Sequence, residues 1–179
     1  MAGKSVNEKK HFNMISFDFK KAFDKVCHEM LINKLHSQKF PLQIINWIKQ
    51  WLSGRTSVVT VNSRTSSSFP VSSGVPQGSV LGPLLFLLYI DDITQNIESD
   101  IRLYADDALL CRNVENDDDA LVFQRDIQNM FNWSQRWRMV FNVSKCVHIE
   151  IGEENPRYHF CLDGEIIPQD LKLNILELQ

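Results

Sequence analysis

The sequence predicts an α+β fold, an antiparallel sheet with helices packed on one face. Three observations carry this reading. Short apolar runs rich in β-branched and aromatic residues stand at 11–19, 56–62, 101–112 and 146–152. The stretches between them place apolar residues at helical spacing. Turn signals close together in the chain, Asp106-Asp107 and Asp163-Gly164, join neighbouring runs into hairpins.

Taken in order, "HFNMISFDF" (11–19) is aromatic- and Ile-rich and reads as a strand. "HEMLINKLHSQ" (28–38) sets Leu31 and Leu35 four apart, a short helix. "PLQIINWIKQWLSG" is a longer one: Pro41 suits a first helical position, Ile44, Ile45, Ile48, Trp51 and Leu52 form one apolar face, and Gly54 follows the end. "TSVVTVN" reads as a strand, a Ser-rich turn spans 63–68, and "FPVSSG" is its hairpin partner. Gly74, Gly78 and Gly82 recur every four residues before an apolar helix. "IRLYADDALLCR" is a hairpin around Asp106-Asp107. A long helix carries Leu121, Phe123, Ile127, Met130, Phe131, Trp133 and Trp137, the two tryptophans as core residues, with "ENDDD" at its positive end. "CVHIEIG" alternates as a strand, and "YHFCLDGEIIP" turns at Asp163-Gly164. Asp91-Asp92 reads as a solvated helix end, and His28, His36, His148 and His159 form no recognisable cluster.

Bulk properties narrow the function classes. The 179 residues suffice for one domain, and 44% hydrophobic with 23% charged residues is ordinary globular composition. The formal net charge of −3 lacks the basic excess of a chain that grips nucleic acid unaided. Cys27, Cys111, Cys146 and Cys161 are widely spaced, with no zinc pattern, so free thiols are expected. "MAGKSVNEKK" has no apolar signal core and "VLGPLLFLLYI" is too short to span a bilayer; a soluble intracellular chain without a membrane partner is expected, nucleus or cytoplasm left open.

The chemistry concentrates in acidic residues where strands end or turn. Adjacent charges at Asp106 and Asp107 repel by roughly 4 kcal/mol at about 4 Å and an effective dielectric of 20. A polar turn explains the pair; so does a divalent-metal site that relieves the repulsion, with Asp18 at the end of an apolar strand as a further ligand if the two strands are neighbours. Hard oxygen ligands favour magnesium, which binds through one or two carboxylates plus substrate phosphates.

Four motifs in order, "FDFKKAFDKV" (17–26), "GVPQGSVLGPLLFLLYIDDI" (74–93), "LYADDALL" (103–110) and "WSQRWRMVFNVSKC" (133–146), resemble the palm motifs of reverse transcriptases of non-LTR retrotransposons of the jockey-like kind. The resemblance covers roughly 12–168, leaving 1–11 as an N-terminal tail and 169–179 as a truncated C-terminal segment. It implies a polymerase palm with fingers and thumb largely missing. It implies two magnesium ions, replaceable by manganese, held by Asp18, Asp106, Asp107 and the backbone carbonyl of Phe19. Phe23 would sit beneath the incoming sugar and exclude a 2′-hydroxyl, and Gln77 and Gly78 would lie against the nascent pair. Lys145 matches a lysine that protonates the departing pyrophosphate, though a plain surface lysine fits it equally; Asp24 is either a helix cap or a positional residue.

The implied reaction is transfer of a deoxynucleotide from a dNTP to a DNA primer 3′-hydroxyl on an RNA template, weak or absent in a chain without fingers and thumb unless those regions of a full-length element associate with it. Two other readings stand beside it. One is a non-catalytic retroelement remnant or interaction module. The other is a cellular or group II intron reverse transcriptase, against which the Trp133–Cys146 pattern argues.

Overall fold

The computed structural model describes residues 11–152 and 158–169. Residues 1–10 of the expected tail and 170–179 of the expected C-terminal segment lie outside the described residues. Strand β1 (Phe12–Asp18) leads into helices α1 (Ala22–Lys25), α2 (His28–Ser37) and α3 (Leu42–Leu52). Four two-residue strands follow: β2 (Thr56–Ser57), β3 (Thr60–Val61), β4 (Arg64–Thr65) and β5 (Phe69–Pro70). Helix α4 (Leu81–Ile90) precedes the hairpin of β6 (Asp100–Tyr104) and β7 (Asp107–Asn113). Helix α5 (Asp117–Arg136), β8 (Val147–Ile151) and the hairpin β9 (Cys161–Leu162) and β10 (Glu165–Ile166) complete the order. The chain divides into two compact units, Lys21–Asp92 and the remainder.

The larger unit is built on a four-stranded sheet in the order β6-β7-β1-β8, antiparallel at every pairing. Residues directly opposite in an antiparallel pair share a face. Ile15 faces Leu110 and Phe17 faces Ala108, and all four are fully buried. Helix α5 packs against β7 and β9, burying Phe123, Ile127 and Met130. Asn116 caps its start by accepting from the Asp119 N–H at 3.0 Å, with Asp117, Asp118 and Asp119 in the first turn, as the acidic run foretold. The opposite face of the sheet is apolar at one end, where Phe12, Met14, Cys111, Ile149 and Ile151 cluster, and polar at the other.

Two buried polar groups tie this unit together. Asp126 on α5 accepts from the Ser99 N–H at 2.8 Å and the Ser99 hydroxyl at 2.6 Å, and more weakly from the Glu98 N–H, which fixes the entry to β6. His148 on β8 is 1% exposed, with Nε2 2.8 Å from Asn13 Oδ1. Burial lowers the His148 pKa to about 4, with His159 adding to the effect, so the ring is neutral in the folded chain.

The smaller unit follows the predicted helices with local differences. Pro41 caps α3 from outside the helix rather than opening it. Ile45, Ile48 and Leu52 form its buried face, whereas Ile44 is exposed and Trp51 half-buried, so the apolar stripe is narrower than predicted. "TSVVTVN" does not form one strand: β2 pairs with β5 and β3 with β4, in two separate ribbons. Asp91 and Asp92 are no mere solvated helix end. Both pair with the buried Lys34 of α2, at 2.5 and 2.8 Å, and Lys34 also donates to the Tyr89 carbonyl at 2.7 Å. Asp-Asp therefore supplies the anions that let a lysine end in the helix interface.

His148 gives the fold a pH signature. Its folded pKa lies below the unfolded value, so its stabilising contribution is complete above about pH 6.5 and is lost as pH falls toward about 4. Urea unfolding at pH 7.5 and pH 5 is expected to show a loss of about 1–2 kcal/mol at the lower pH, and His148→Gln to flatten that difference. Asp126→Ala, which strips the β6 entry of its buried acceptor, is expected to cost about 2–4 kcal/mol in the same measurement.

Candidate active site

The polar end of the exposed sheet face holds the acidic residues. Asp18, last in β1, is the direct partner of Asp107, first in β7, so both carboxylates leave the same face of the sheet. Tyr104 of β6 continues the row as the partner of Asp107. Asp106 is the second residue of the two-residue turn, after Ala105 at φ 52°. Positive φ is costly for alanine, and strain of this kind, of order 1–3 kcal/mol, gathers at functional sites. The turn therefore falls one residue earlier than the Asp-Asp pair implied, which puts Asp107 into the strand and opposite Asp18. Among the described residues no three His, Cys, Asp or Glu side chains stand together as a metal cage. Two opposed carboxylates suit magnesium, which completes its shell with water and phosphate oxygens.

The end of β1 is clamped by residues 140–142, part of the 133–146 motif in which the sequence reading gave no role to Phe141 or Asn142. The Asn142 N–H donates to the Asp18 carbonyl at 2.8 Å, and the Lys20 N–H to the Val140 carbonyl at 2.8 Å. These two bonds flank the bridge between Phe19 and Phe141. In that pattern the N–H and C=O of Phe19 point the other way, toward the side of β7. The Phe19 ring stacks on Phe141 at 4.6 Å and meets Trp133 at 6.3 Å; Trp133 and Trp137 are half-buried rather than the core residues expected, because they sit at the C-terminal end of α5. Cys146, fully buried, lies against the Asp18 backbone; burial pushes its thiol pKa up, and the Asp18 backbone hydrogen bond opposes this. Lys145 Nζ is 3.9 Å from Asp18 Oδ2 on a side chain 66% exposed, a loose pairing that leaves the ammonium free to move.

The nucleotide candidates lie in the smaller unit and are brought together there. Gly74 sits at φ +81°, and a Cβ on it would meet Asp24 Cα at 2.7 Å. That close approach lets the Gly74 N–H reach the Val26 carbonyl and the Val75 N–H the Phe23 carbonyl, both at 2.8 Å. Gln77 Nε2 donates to Asp24 Oδ1 at 3.0 Å. Asp24 therefore takes the positional role and caps no helix. Phe23 packs on Phe86 at 4.8 Å. Gly78 is at φ +77° with open space beside it, and Gly82 touches the Pro76 carbonyl, where a Cβ would stand 2.6 Å away. His28, read from the sequence only as part of no cluster, and Arg55, which the sequence reading did not name, anchor the start of this loop. His28 Nε2 is 2.8 Å from the Gly74 carbonyl, which also accepts from Arg55.

The model of the family described as reverse transcriptase (RNA-dependent DNA polymerase) matches residues 2–164. The chain belongs to the reverse transcriptase family. It is similar to the probable RNA-directed DNA polymerase from transposon X-element of Drosophila melanogaster, 35% identical over 148 residues that cover 78% of this chain and 16% of that protein. Against the RNA-directed DNA polymerase from mobile element jockey of the same organism the identity is 33% over 152 residues, 79% of this chain and 16% of the relative. This reverse transcriptase domain is therefore jockey-like, and it spans about a sixth of the length of those relatives. Among solved structures, telomerase from Candida tropicalis in complex with a fragment of telomeric RNA superposes with a TM-score of 0.63 at 16% identity, over 93% of this chain and 31% of that one. That likeness supports the palm-like α+β fold. Among the described residues no helix is long and apolar enough to cross a membrane.

The two loop glycines separate close approach from backbone conformation. Gly74→Ala is expected to cost about 2–4 kcal/mol, because a Cβ would strike backbone and sit at positive φ. Gly78→Ala, with only the conformational penalty, is expected to cost about 1 kcal/mol. Urea midpoints of the two variants check the difference.

Proposed function

We propose that this chain is the palm of an RNA-directed DNA polymerase that transfers deoxynucleotides from dNTPs to a DNA primer on an RNA template. The observation that carries the proposal is the register pairing Asp18 with Asp107 beside a strained turn at Ala105-Asp106. In this reading Asp18, Asp106 and Asp107, with the Phe19 carbonyl, hold two magnesium or manganese ions. When bound, the ions supply charge neutralisation at the attacking and leaving oxygens of an in-line displacement.

The remaining work falls to the chain's own residues and is mostly positioning. Asn142 and Phe141 hold the end of β1, so that Asp18 and the Phe19 carbonyl keep their spacing. Lys145 carries a proton on Nζ for the departing pyrophosphate. The Phe23 ring, backed by Phe86, occupies the space a 2′-hydroxyl would need. Gln77, held by Asp24, and Gly78, without a side chain, meet the base pair and sugar. Finger and thumb regions of a full-length element are proposed partners, and the chain alone is proposed to extend a primer weakly at best: its net charge of −3 offers few phosphate contacts.

Primer extension on an RNA template with magnesium or manganese tests the reading. Asp18→Asn and Asp106→Asn are expected to lower any extension at least about a hundredfold, a loss of roughly 3 kcal/mol in the transition state, with a smaller effect of Asp107→Asn. Phe23→Val is expected to raise ribonucleotide incorporation relative to deoxynucleotide. Titration of the chain with magnesium is expected to show binding that Asp18→Asn weakens. No magnesium binding by the unmodified chain would overturn the metal site and leave the interaction-module reading.

A further inference from the structure

The sheet face opposite α5 is buried where Phe12, Cys111, Ile149 and Ile151 cluster and more open at its acidic end, where Lys145, which lies off the strands, stands 3.9 Å from Asp18. On that face stand Phe12, Met14, Ser16 and Asp18 of β1, Asp107, Leu109, Cys111 and Asn113 of β7, and Val147, Ile149 and Ile151 of β8, none of them basic. The edge strand β6 adds Asp100, Arg102 and Tyr104. Arg102 is thus the sole Lys or Arg among the strand residues of this face. It is exposed, opposite Leu109, and one row from the line Tyr104, Asp107, Asp18. Two residues along a strand are about 6.7 Å apart, so the guanidinium starts within one side-chain length of the carboxylates.

Among the described residues no carboxylate pairs with Arg102, and Cys111, whose thiol pKa burial raises and Arg102 partly offsets, is a neighbour on the same face. Arg112 and Arg125, the other arginines on or beside the sheet, are spent on Asp119 and Glu98. Arg102 forms no hydrogen bond or ion pair among the described residues, although Asp100 stands two positions away on its own strand. The larger unit holds 12 Lys and Arg against 18 Asp and Glu, so an anionic strand lying on this face meets repulsion from most of its surroundings. Tyr104 beside it is 81% exposed and offers a flat surface for a base or sugar.

We infer that Arg102 is a phosphate-binding residue: it takes a non-reacting backbone phosphate of the nucleic-acid strand whose end lies at Asp18 and Asp107. The assignment rests on the polymerase reading for the direction of that strand. It goes beyond that reading in naming a contact that none of the four palm motifs' catalytic or nucleotide positions includes. A guanidinium donates two parallel hydrogen bonds to phosphate oxygens, and each phosphate it neutralises releases counterions from the duplex.

The test is the salt dependence of binding to a recessed RNA–DNA duplex of defined sequence, with magnesium present and nucleotides omitted, followed by fluorescence anisotropy. Arg102→Ala is expected to weaken binding roughly three- to tenfold at about 0.1 M salt, equally for unrelated sequences, and to lower the slope of log K against log salt by about one. Arg102→Lys keeps the charge and is expected to retain the slope while losing part of the affinity. Thermal melts of both variants matching the unmodified chain separate the effect from misfolding. Unmodified chain that binds or extends the duplex, with the slope unchanged in Arg102→Ala, overturns this assignment and leaves the polymerase reading standing. Binding that loses slope in Arg102→Ala, in a chain that shows no magnesium binding on titration, supports the phosphate contact and counts against the polymerase reading. A chain that binds no duplex overturns the assignment together with the reading on which it rests.

Discussion

The pairing of β1 with β7 is the constraint on which the candidate site depends. Like charges opposite one another weaken a sheet, so the carboxylates of Asp18 and Asp107 do not choose this register for themselves. It is imposed from the other face. Ile15, Phe17, Ala108 and Leu110 are fully buried together, beside the hydrogen-bonded His148 opposite Ile15, and a slip of one residue would turn Phe17 to solvent and the carboxylates inward. A slip of two residues would keep the faces but break the turn at Ala105-Asp106 and the Asn142 bond to the Asp18 carbonyl. Hydrophobic burial on one side thus holds two like charges opposite each other on the other side.

The same division of labour recurs in the smaller unit. Its chemistry-bearing side chains are exposed, while their backbone is fixed by groups that are not. Gly74 approaches the backbone of helix α1 at Phe23 and Asp24 closer than any side chain permits, and His28 and Arg55 hold the Gly74 carbonyl. Burial lowers the Arg55 pKa from its ordinary value, but an arginine starts so high that it remains charged and able to donate. The periodic glycines therefore answer two needs: contact at Gly74 and Gly82, conformation at Gly74 and Gly78. Lys34, sunk between α2 and the end of α4 with Asp91 and Asp92 around it, fixes the far end of the helix that the glycine loop begins.

Much of this was legible in the chain. Local patterns such as the Leu31/Leu35 spacing, the acidic run before α5 and Asp163-Gly164 depend on neighbours within a few residues, and the structure forms each element they announce. The misreadings share one cause. Asp91-Asp92 looked solvated because its partner Lys34 lies some sixty positions earlier, and the stripe on α3 looked wider because periodicity records which residues are apolar, not which meet a neighbour. "TSVVTVN" has strand composition throughout, but its two halves pair with different partners and cannot continue as one strand.

By itself the sequence determined the α+β class, the order of the palm motifs and the family to which they belong. Those properties are written in side-chain chemistry and short-range spacing, which need no partner to be read. Only the tertiary structure decided that Asp18 stands opposite Asp107, that Phe141 and Asn142 clamp the end of β1, that Asp24 holds Gln77, and that Arg102 is the one Lys or Arg among the described strand residues of its face. Each of these is a contact or a shared face between residues distant in the chain, and which distant residues meet is settled by how the whole apolar surface packs.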